Sequence, residues 1–183
     1  MFTYKVNNIK VSYKLNASFL KLKLIALSKE IEVSKKSNNF FVLRKNGFVF
    51  IIFYTGHVNC TKLLTSNEIE SSKSVLIQSV KECSVTETKI DNITASGSIF
   101  DNHSIASGRK INLFKLCSFL KVNNVKHRYN PHRFPGLNFK LYGITFLVFN
   151  SGKFILIGGE SLVDLNSTIN EFSQFMRVFL GER

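Results

Sequence analysis

The composition limits what this protein can be. Its 183 residues suffice for one ordinary domain or two small ones, and 44% of them are apolar, with 18 Phe and no Trp. No apolar run approaches the roughly 18 residues of a membrane helix, and residues 1–10 lack the apolar core of a signal peptide, so we predict no membrane association. Cys60, Cys83 and Cys117 are an odd number without paired spacing, which argues against a disulfide scaffold.

The net charge is strongly positive. Lys and Arg number 25 and Asp and Glu 12, so the formal charge at pH 7 is +13. Such a surface attracts polyanions through its long-range potential and through the release of counterions. The charge by itself leaves a nucleic-acid partner and a purely solubilising role equally open.

The predicted elements follow the same order in each half of the chain. Residues 4–13 open with a β pattern, and residues 19–31 have the apolar spacing of a helix at Leu20, Leu24 and Leu27. Residues 48–53 then form an aromatic and β-branched strand, and residues 66–82 form a closing helix. The corresponding segments of the second half are 89–100, 111–122 (with Leu113, Leu116 and Leu120 at helical spacing), 144–149 and 161–180.

Two pairs of similar segments indicate an internal duplication. VNNI at 6–9 matches IDNI at 90–93 with an offset of 84, and GFVFIIFYTG at 47–56 matches GITFLVFNSG at 143–152 with an offset of 96. Gly47 and Gly143 then stand where a strand turns back, a use that glycine serves at positive φ. We predict an α+β protein with a largely antiparallel sheet, built from one repeat at 4–82 and another at 89–180.

The second half carries family-specific motifs. It contains YNPHRFPGLNFK at 129–140 and VFNSGK at 148–153, which resemble the second repeat of the TATA-box-binding protein family. The first half resembles the first repeat through VNNI and through IFYTG at 52–56. The resemblance implies a pseudo-symmetric saddle with helices on its convex face. It also implies a general transcription factor that binds and kinks AT-rich promoter DNA through the minor groove to nucleate transcription initiation.

The resemblance also assigns site residues. Asn8 and Asn92 would donate to the acceptors of A·T pairs in the minor groove. Phe rings would wedge between base steps, and cations would contact phosphates. The wedges are Phe53, Phe134 and Phe149, the cations are Arg44, Lys140 and Lys153, and the further positions on the DNA face are Thr61, Lys10 and Thr94. Each residue type also has a plain structural interpretation, as core aromatic, turn residue or surface charge.

The first repeat departs from the family pattern. Ungapped alignment back from Phe53 places Asn38 at the first wedge position, whereas a two-residue shift places Phe40 there, and the sequence leaves both open. Lys10 replaces a small apolar residue, so it could add a cation for DNA or disturb an apolar groove lining. Asn59 and Ile157 are further departures on the same face.

The expected partners are double-stranded AT-rich DNA, to which the protein would bind as a monomer, and transcription initiation factors. Asn130 and His132 stand where the family has two Glu that help to hold transcription factor IIB, so we expect divergent or lineage-specific factors. The location would be the nucleus, or the cytoplasm if the source lacks one.

We expect no enzyme, catalytic residue, metal or cofactor. The chain's four His residues are His57, His103, His127 and His132. His127 and His132 flank Pro131 at a spacing unsuited to a helical metal pair, and no paired carboxylate motif is present.

Two other functions stay open at this point. A saddle that has lost specific DNA bending would serve as a platform for protein interactions in transcription, and the altered residues of the first repeat favour that alternative. A basic RNA-binding domain would instead stack single-stranded bases on exposed Phe rings.

Overall fold

A computed structural model describes residues 2–28, 33–81, 83–101, 104 and 108–182. The chain forms two compact units, which we call the first unit (residues 8–91) and the second unit (residues 1–7 and 92–183). The repeat boundaries at 4–82 and 89–180 remain a proposal. Ile31, Glu82 and His103, which the sequence analysis named, lie outside the described residues.

The described residues of the first unit form five strands and two helices. Its strands are ordered β2-β3-β4-β5-β1, and the neighbouring pairs are antiparallel. The elements are β1 (Thr3–Asn16, which begins in the second unit), α1 (Phe19–Leu27), β2 (Val33–Lys36), β3 (Phe40–Lys45), β4 (Phe48–Phe53), β5 (His57–Leu63) and α2 (Ser66–Ser79).

The second unit repeats this plan. Its strands are ordered β6-β10-β9-β8-β7, and all neighbouring pairs in this order are antiparallel. The elements are β6 (Ser84–Ser98, which begins in the first unit), α3 (Leu113–Val122), β7 (His127–Asn130), β8 (Phe134–Leu141), β9 (Ile144–Val148), β10 (Lys153–Gly159) and α4 (Leu162–Leu180).

Local sequence signals account for the helix ends and the turns. Thr65 caps α2 by accepting from the N–H of Glu68, whose carboxylate accepts in return from the N–H of Leu64. Gly47 and Gly143 both have φ of 81°, as the turn prediction required. Such a φ is strained for a residue with a Cβ.

Helices cover one sheet face in each unit. In the second unit, the ring of Phe172 in α4 stacks on Phe146 with centroids 4.4 Å apart and meets the edge of Phe154. In the first unit, the buried hydroxyl of Tyr13 lies 2.6 Å from Ser72 in α2 and donates to the carbonyl of Ile69. In each unit the core therefore lies between the strands and the helices.

The predicted helices all form, but the apolar spacing has different consequences in the two halves. Leu113, Leu116 and Leu120 are buried along α3. In α1, by contrast, Leu20, Leu24 and Leu27 are the exposed residues, and Leu22 and Ala26 point into the core. Among the helices of the described residues, none has the length and apolarity that a membrane crossing requires.

Candidate nucleic-acid interface

Each unit leaves one sheet face without helices. Along β1, Ile9 and Val11 are buried, so the alternating side chains of Asn8, Lys10 and Ser12 lie on the opposite face. We call this uncovered side the open face of each unit. The open face of the second unit is formed by Asn92, Thr94, Ser96, Asn138, Lys140, Thr145, Leu147, Lys153, Ile155 and Ile157.

Asn8 and Asn92 occupy equivalent places beside β-bulges. The side-chain oxygen of Asn8 accepts from the backbone N–H of Lys62 at 2.7 Å, and that of Asn92 accepts from Gly158 at 2.9 Å. Lys62 (φ 70°) and Gly158 (φ 109°) are each the extra residue where the strand register shifts. The two asparagines are therefore equivalent in structure as well as in sequence.

This hydrogen bond decides how each carboxamide is oriented. Because a backbone N–H can only donate, its partner must be Oδ1, which leaves Nδ2 as the group that faces outward. Nδ2 of Asn92 donates to Thr94 Oγ1 at 3.3 Å and keeps a second N–H, whereas Nδ2 of Asn8 makes no hydrogen bond within the described residues. Both amides can therefore donate to acceptors on a bound molecule.

The two predicted wedges of the second unit form a pair. The rings of Phe134 and Phe149 meet at 64° with centroids 5.9 Å apart, and Phe134 is 45% exposed. Gly136 makes this contact possible, because a Cβ there would lie 2.6 Å from Phe134 Cε1 and 3.0 Å from Phe149 Cε1. A residue without a side chain thus opens the space that the two rings share.

The first unit reaches a similar pair by another route. Phe41 lies opposite Ile52, and the residues 96 positions later, Leu137 and Val148, lie opposite one another, so the backbone aligns without a gap. This register places Asn38 at the position of Phe134. Phe40, however, lies opposite Phe53, and their rings pack at 5.8 Å.

The sequence left open whether Asn38 or Phe40 stands at the first wedge position, and the structure gives each residue a separate place. Asn38 occupies the aligned position and is exposed in the bend before β3, while Phe40 replaces the glycine of the other unit and supplies the second ring. The missing ring is restored from a neighbouring position.

The predicted cations are all exposed, and two of them lie at equivalent places. Arg44 lies opposite Val49 and Lys140 opposite Thr145, 96 residues further on, and Lys153 begins β10. Sequence reasoning did not select Arg128 and Arg133. Together with Tyr129, Asn130, Phe134, Gly136 and Asn138, these two arginines line a depression of about 570 Å³ next to a predicted wedge.

Lys10 is not a free cation. Its Nζ lies 3.1 Å from Asp91 Oδ2, and Ser12 donates to the other oxygen of the same carboxylate at 2.9 Å. Sequence analysis missed Asp91 and Ser12, although the offset of 84 pairs Asp91 with Asn7 and could have drawn attention to the charge difference. The open face of the first unit thus contains an ion pair.

The remaining predicted positions surround the bulges. Thr61 immediately precedes Lys62 and is half-buried, as is Thr94 in β6. Ile157, at the position of Thr61 in the second unit, is 38% exposed, and Asn59 lies opposite Ser12. At these two positions the first unit therefore has a polar residue, Thr61 or Asn59, where the second unit has Ile157 or Ile155.

Two of the cysteines are poorly suited to nucleophilic chemistry. Burial raises the pKa of the Cys60 thiol to about 11 and also raises the pKa of Cys117, so neither is an activated nucleophile. Within the described ranges, no three His, Cys, Asp or Glu side chains are grouped so as to hold a metal ion.

Comparison with known proteins now decides the family. The sequence profile described as "Transcription factor TFIID (or TATA-binding protein, TBP)" matches residues 87–179, just over half of the chain. The chain belongs to the TATA-box-binding protein family. Membership fits the prediction of a protein that is not an enzyme, because the family consists of transcription factors.

The similarity to individual members of the TATA-box-binding protein family extends over nearly the whole chain. The TATA-box-binding protein of Archaeoglobus fulgidus is 25% identical over 185 residues, covering 96% of each chain. That of Methanothrix thermoacetophila is 26% identical over 166 residues, or 87% of each. The solved structure of Methanococcus jannaschii TBP matches 97% of this chain and 99% of its own with a TM-score of 0.70 at 23% identity. The predicted fold class, the α+β fold of the TATA-box-binding proteins, is confirmed.

Proposed function

We propose that this protein recognises promoters by binding AT-rich duplex DNA in the minor groove and kinking it. The open faces of the two units contact the DNA, and the phenylalanine pairs enter between base steps. The family and its fold support DNA as a partner, and the site chemistry below supports the finer assignment.

The observation that carries the proposal is the presence of one aromatic pair in each unit. Phe134 and Phe149 form one pair and Phe40 and Phe53 the other. Flat apolar rings that are only half covered can insert between base pairs and offset part of the cost of unstacking them. Phe40 restores the fourth ring despite the polar residue at the aligned position.

The two asparagines supply the polar part of recognition. The minor groove of A·T pairs presents only acceptors, N3 of adenine and O2 of thymine. The outward Nδ2 groups of Asn8 and Asn92 are donors held in that orientation by the bulges. Arg44, Lys140 and Lys153 then serve the phosphates, which position the protein without reading sequence.

A binding-and-bending assay tests the proposal. A duplex with a TATA sequence carries a donor and an acceptor dye at its ends, and a GC-scrambled duplex serves as the comparison near physiological salt. We expect selective binding to the TATA duplex, with energy transfer that reports a large bend. Phe149→Ala and Phe40→Ala should each lower affinity and bending together.

Phe179→Ala is the matched control. This phenylalanine is half-buried on α4 and its ring packs on Phe119 of α3 with centroids 5.5 Å apart, so its removal takes away a similar aromatic pair among the helices and should change neither quantity. If Phe149→Ala bends the TATA duplex as fully as the parent protein does, the wedge assignment is wrong.

A second candidate function is an interaction platform that no longer bends DNA. The ion pair of Lys10 and Asp91 on the open face of the first unit favours it, because a carboxylate is repelled by phosphates. Weak, salt-sensitive binding to both duplexes without a bend would support the platform and contradict the promoter-recognition proposal.

Family membership supports a proposal for the partners and the location. We propose that the protein acts as a monomer on DNA, with initiation factors that differ from the usual ones at Asn130 and His132. The relatives named above are archaeal, and archaea lack a nucleus, so the cytoplasm is the proposed location.

A further inference from the structure

We propose that Lys10, Asp91 and Ser12 read a G·C base pair in the half of the DNA site that the first unit contacts, whereas the second unit requires A·T pairs. The inference rests on the proposed function, since it needs the open faces to contact the minor groove.

The three side chains form one connected group on the open face. Lys10 Nζ is 3.1 Å from Asp91 Oδ2, and Ser12 Oγ is 2.9 Å from Asp91 Oδ1. The side chains of Lys10 and Asp91 are 39% and 24% exposed, so both can be reached from outside. A donor and an acceptor are thus held side by side at fixed separation.

This arrangement complements the minor-groove edge of a G·C pair. Guanine adds its N2 amino donor to the acceptors that all base pairs show there, so a G·C pair presents a donor between acceptors. The Asp91 carboxylate has lone pairs beyond those that Lys10 and Ser12 occupy, and the Lys10 ammonium has further N–H groups. One accepts from guanine N2, and the other donates to a neighbouring acceptor.

An A·T pair does not satisfy the carboxylate. It offers no donor in the minor groove, so Asp91 would lose water without gaining a partner from the base. A site built around a hydrogen-bonding group discriminates strongly against a ligand that leaves that group unpaired. The group therefore favours guanine instead of merely tolerating it.

The second unit contains the same arrangement without charge. Asn7 stands 84 residues before Asp91, and its side-chain oxygen accepts from Ser96, the equivalent of Ser12, at 3.2 Å. Thr94 takes the place of Lys10.

The neighbouring strand strengthens this contrast. Ser96 lies opposite the apolar Ile155, whereas Ser12 lies opposite Asn59. Ile155 offers no acceptor to a guanine amino group, and Asn7 Oδ1, a neutral oxygen that already accepts from Ser96, is a weaker acceptor than the carboxylate of Asp91, so the amino group would be desolvated with little compensation. The second unit should therefore select against guanine.

Inosine gives a direct test on the unaltered protein. Inosine·cytosine differs from G·C in the minor groove only by the absence of the N2 amino group. Each position of a TATA-type site is replaced in turn by A·T, G·C or inosine·cytosine, and the dissociation constants are compared. In one half of the site we expect at least one position where G·C binds about tenfold more tightly than inosine·cytosine. In the other half we expect the reverse preference.

A variant that copies the chain's own second unit assigns the effect to these residues. Lys10→Thr with Asp91→Asn introduces the residues already present at Thr94 and Asn7, and should abolish the preference for G·C over inosine·cytosine. Asp91→Asn alone should do the same while leaving Lys10 in place. Circular dichroism verifies that each variant is folded.

The outcomes separate this inference from the proposed function. Equal binding of G·C and inosine·cytosine at every position, with selective binding of the TATA duplex intact, overturns the inference alone. Failure of the parent protein to bind any duplex selectively overturns both. A guanine preference that persists in both variants overturns the assignment to these three residues, because other residues would then read the amino group.

Discussion

The carboxamide oxygen of Asn8 accepts a 2.7 Å hydrogen bond from the backbone N–H of Lys62, a residue with φ of 70° in the bulge of β5. The two polar atoms of the side chain therefore have different roles. Oδ1 accepts from the protein's own backbone, and Nδ2 remains available to a ligand. The same division at Asn92 and Gly158 shows that the arrangement belongs to the repeat.

Asn8→Asp separates these two roles. The carboxylate can still accept from Lys62, so we expect little change in the unfolding temperature. It cannot donate and it is repelled by phosphates, so affinity for AT-rich DNA should fall at least about tenfold, equivalent to about 1.4 kcal/mol.

Asn8→Ala is the comparison for the structural role, because it leaves the bulge N–H to water and should cost about 1 kcal/mol of stability. Thermal unfolding and fluorescence anisotropy measure the two effects. Binding of Asn8→Asp as tight as that of the parent would contradict the donor assignment.

Arg44→Ala and Lys140→Ala test the phosphate contacts. Each should weaken binding to AT-rich and GC-rich duplexes by similar factors, because phosphates carry no sequence information. Each should also reduce the slope of log affinity against log salt concentration by about 1, since one counterion fewer is released. Lys115→Ala, an exposed substitution on α3, should leave the slope unchanged, and an unchanged slope for Arg44→Ala would remove that residue from the interface.

Gly97→Ala should be among the most destabilising small substitutions. A Cβ at this position would lie 2.2 Å from the backbone oxygen of Thr3 and 2.6 Å from the buried ring of Phe154. Neither neighbour can move freely, so the free energy of unfolding should fall by about 2 kcal/mol.

Gly143→Ala is the comparison variant, because Gly143 has a positive φ but open space around the position of a Cβ. No atom lies within 4 Å of its would-be Cβ, so only backbone strain applies, at about 1 kcal/mol. Urea denaturation compares the two variants. A smaller loss for Gly97→Ala than for Gly143→Ala would show that β1 can shift at Thr3.

Tyr13 should make the protein sensitive to alkali. Burial raises the pKa of its hydroxyl from 10.0 to about 12, although the hydrogen bond with Ser72 opposes the shift. The folded state therefore keeps a proton that the unfolded state loses above pH 10.0. The stabilisation is complete below that pH and is lost as the pH rises through about 12.

Tyr13→Phe should cost about 1 kcal/mol at neutral pH through the lost hydroxyl hydrogen bonds, yet flatten the alkaline part of the stability profile. Denaturation across this pH range measures both effects. An identical alkaline slope in the variant and the parent would show that other groups control the loss.

Sequence periodicity predicted elements better than it predicted exposure. The leucine spacing of residues 20, 24 and 27 correctly indicates α1, yet those side chains are exposed, because spacing defines a helix face without specifying what packs against it. The short polar stretch at 83–88, which separates the two predicted repeats at 4–82 and 89–180, lies largely within the long strand β6. Backbone pairing with a strand distant in sequence overrides local polarity.

The duplicated order of elements, the turn glycines and the family could be predicted from the sequence, because these depend on local propensity and on motifs along the chain. The partners across strands could not be predicted, and the folded structure supplied them. It paired Phe40 with Phe53, directed the asparagine nitrogens outward and joined Lys10 to Asp91, because each relationship depends on strand register and bulges that bring together residues far apart in sequence.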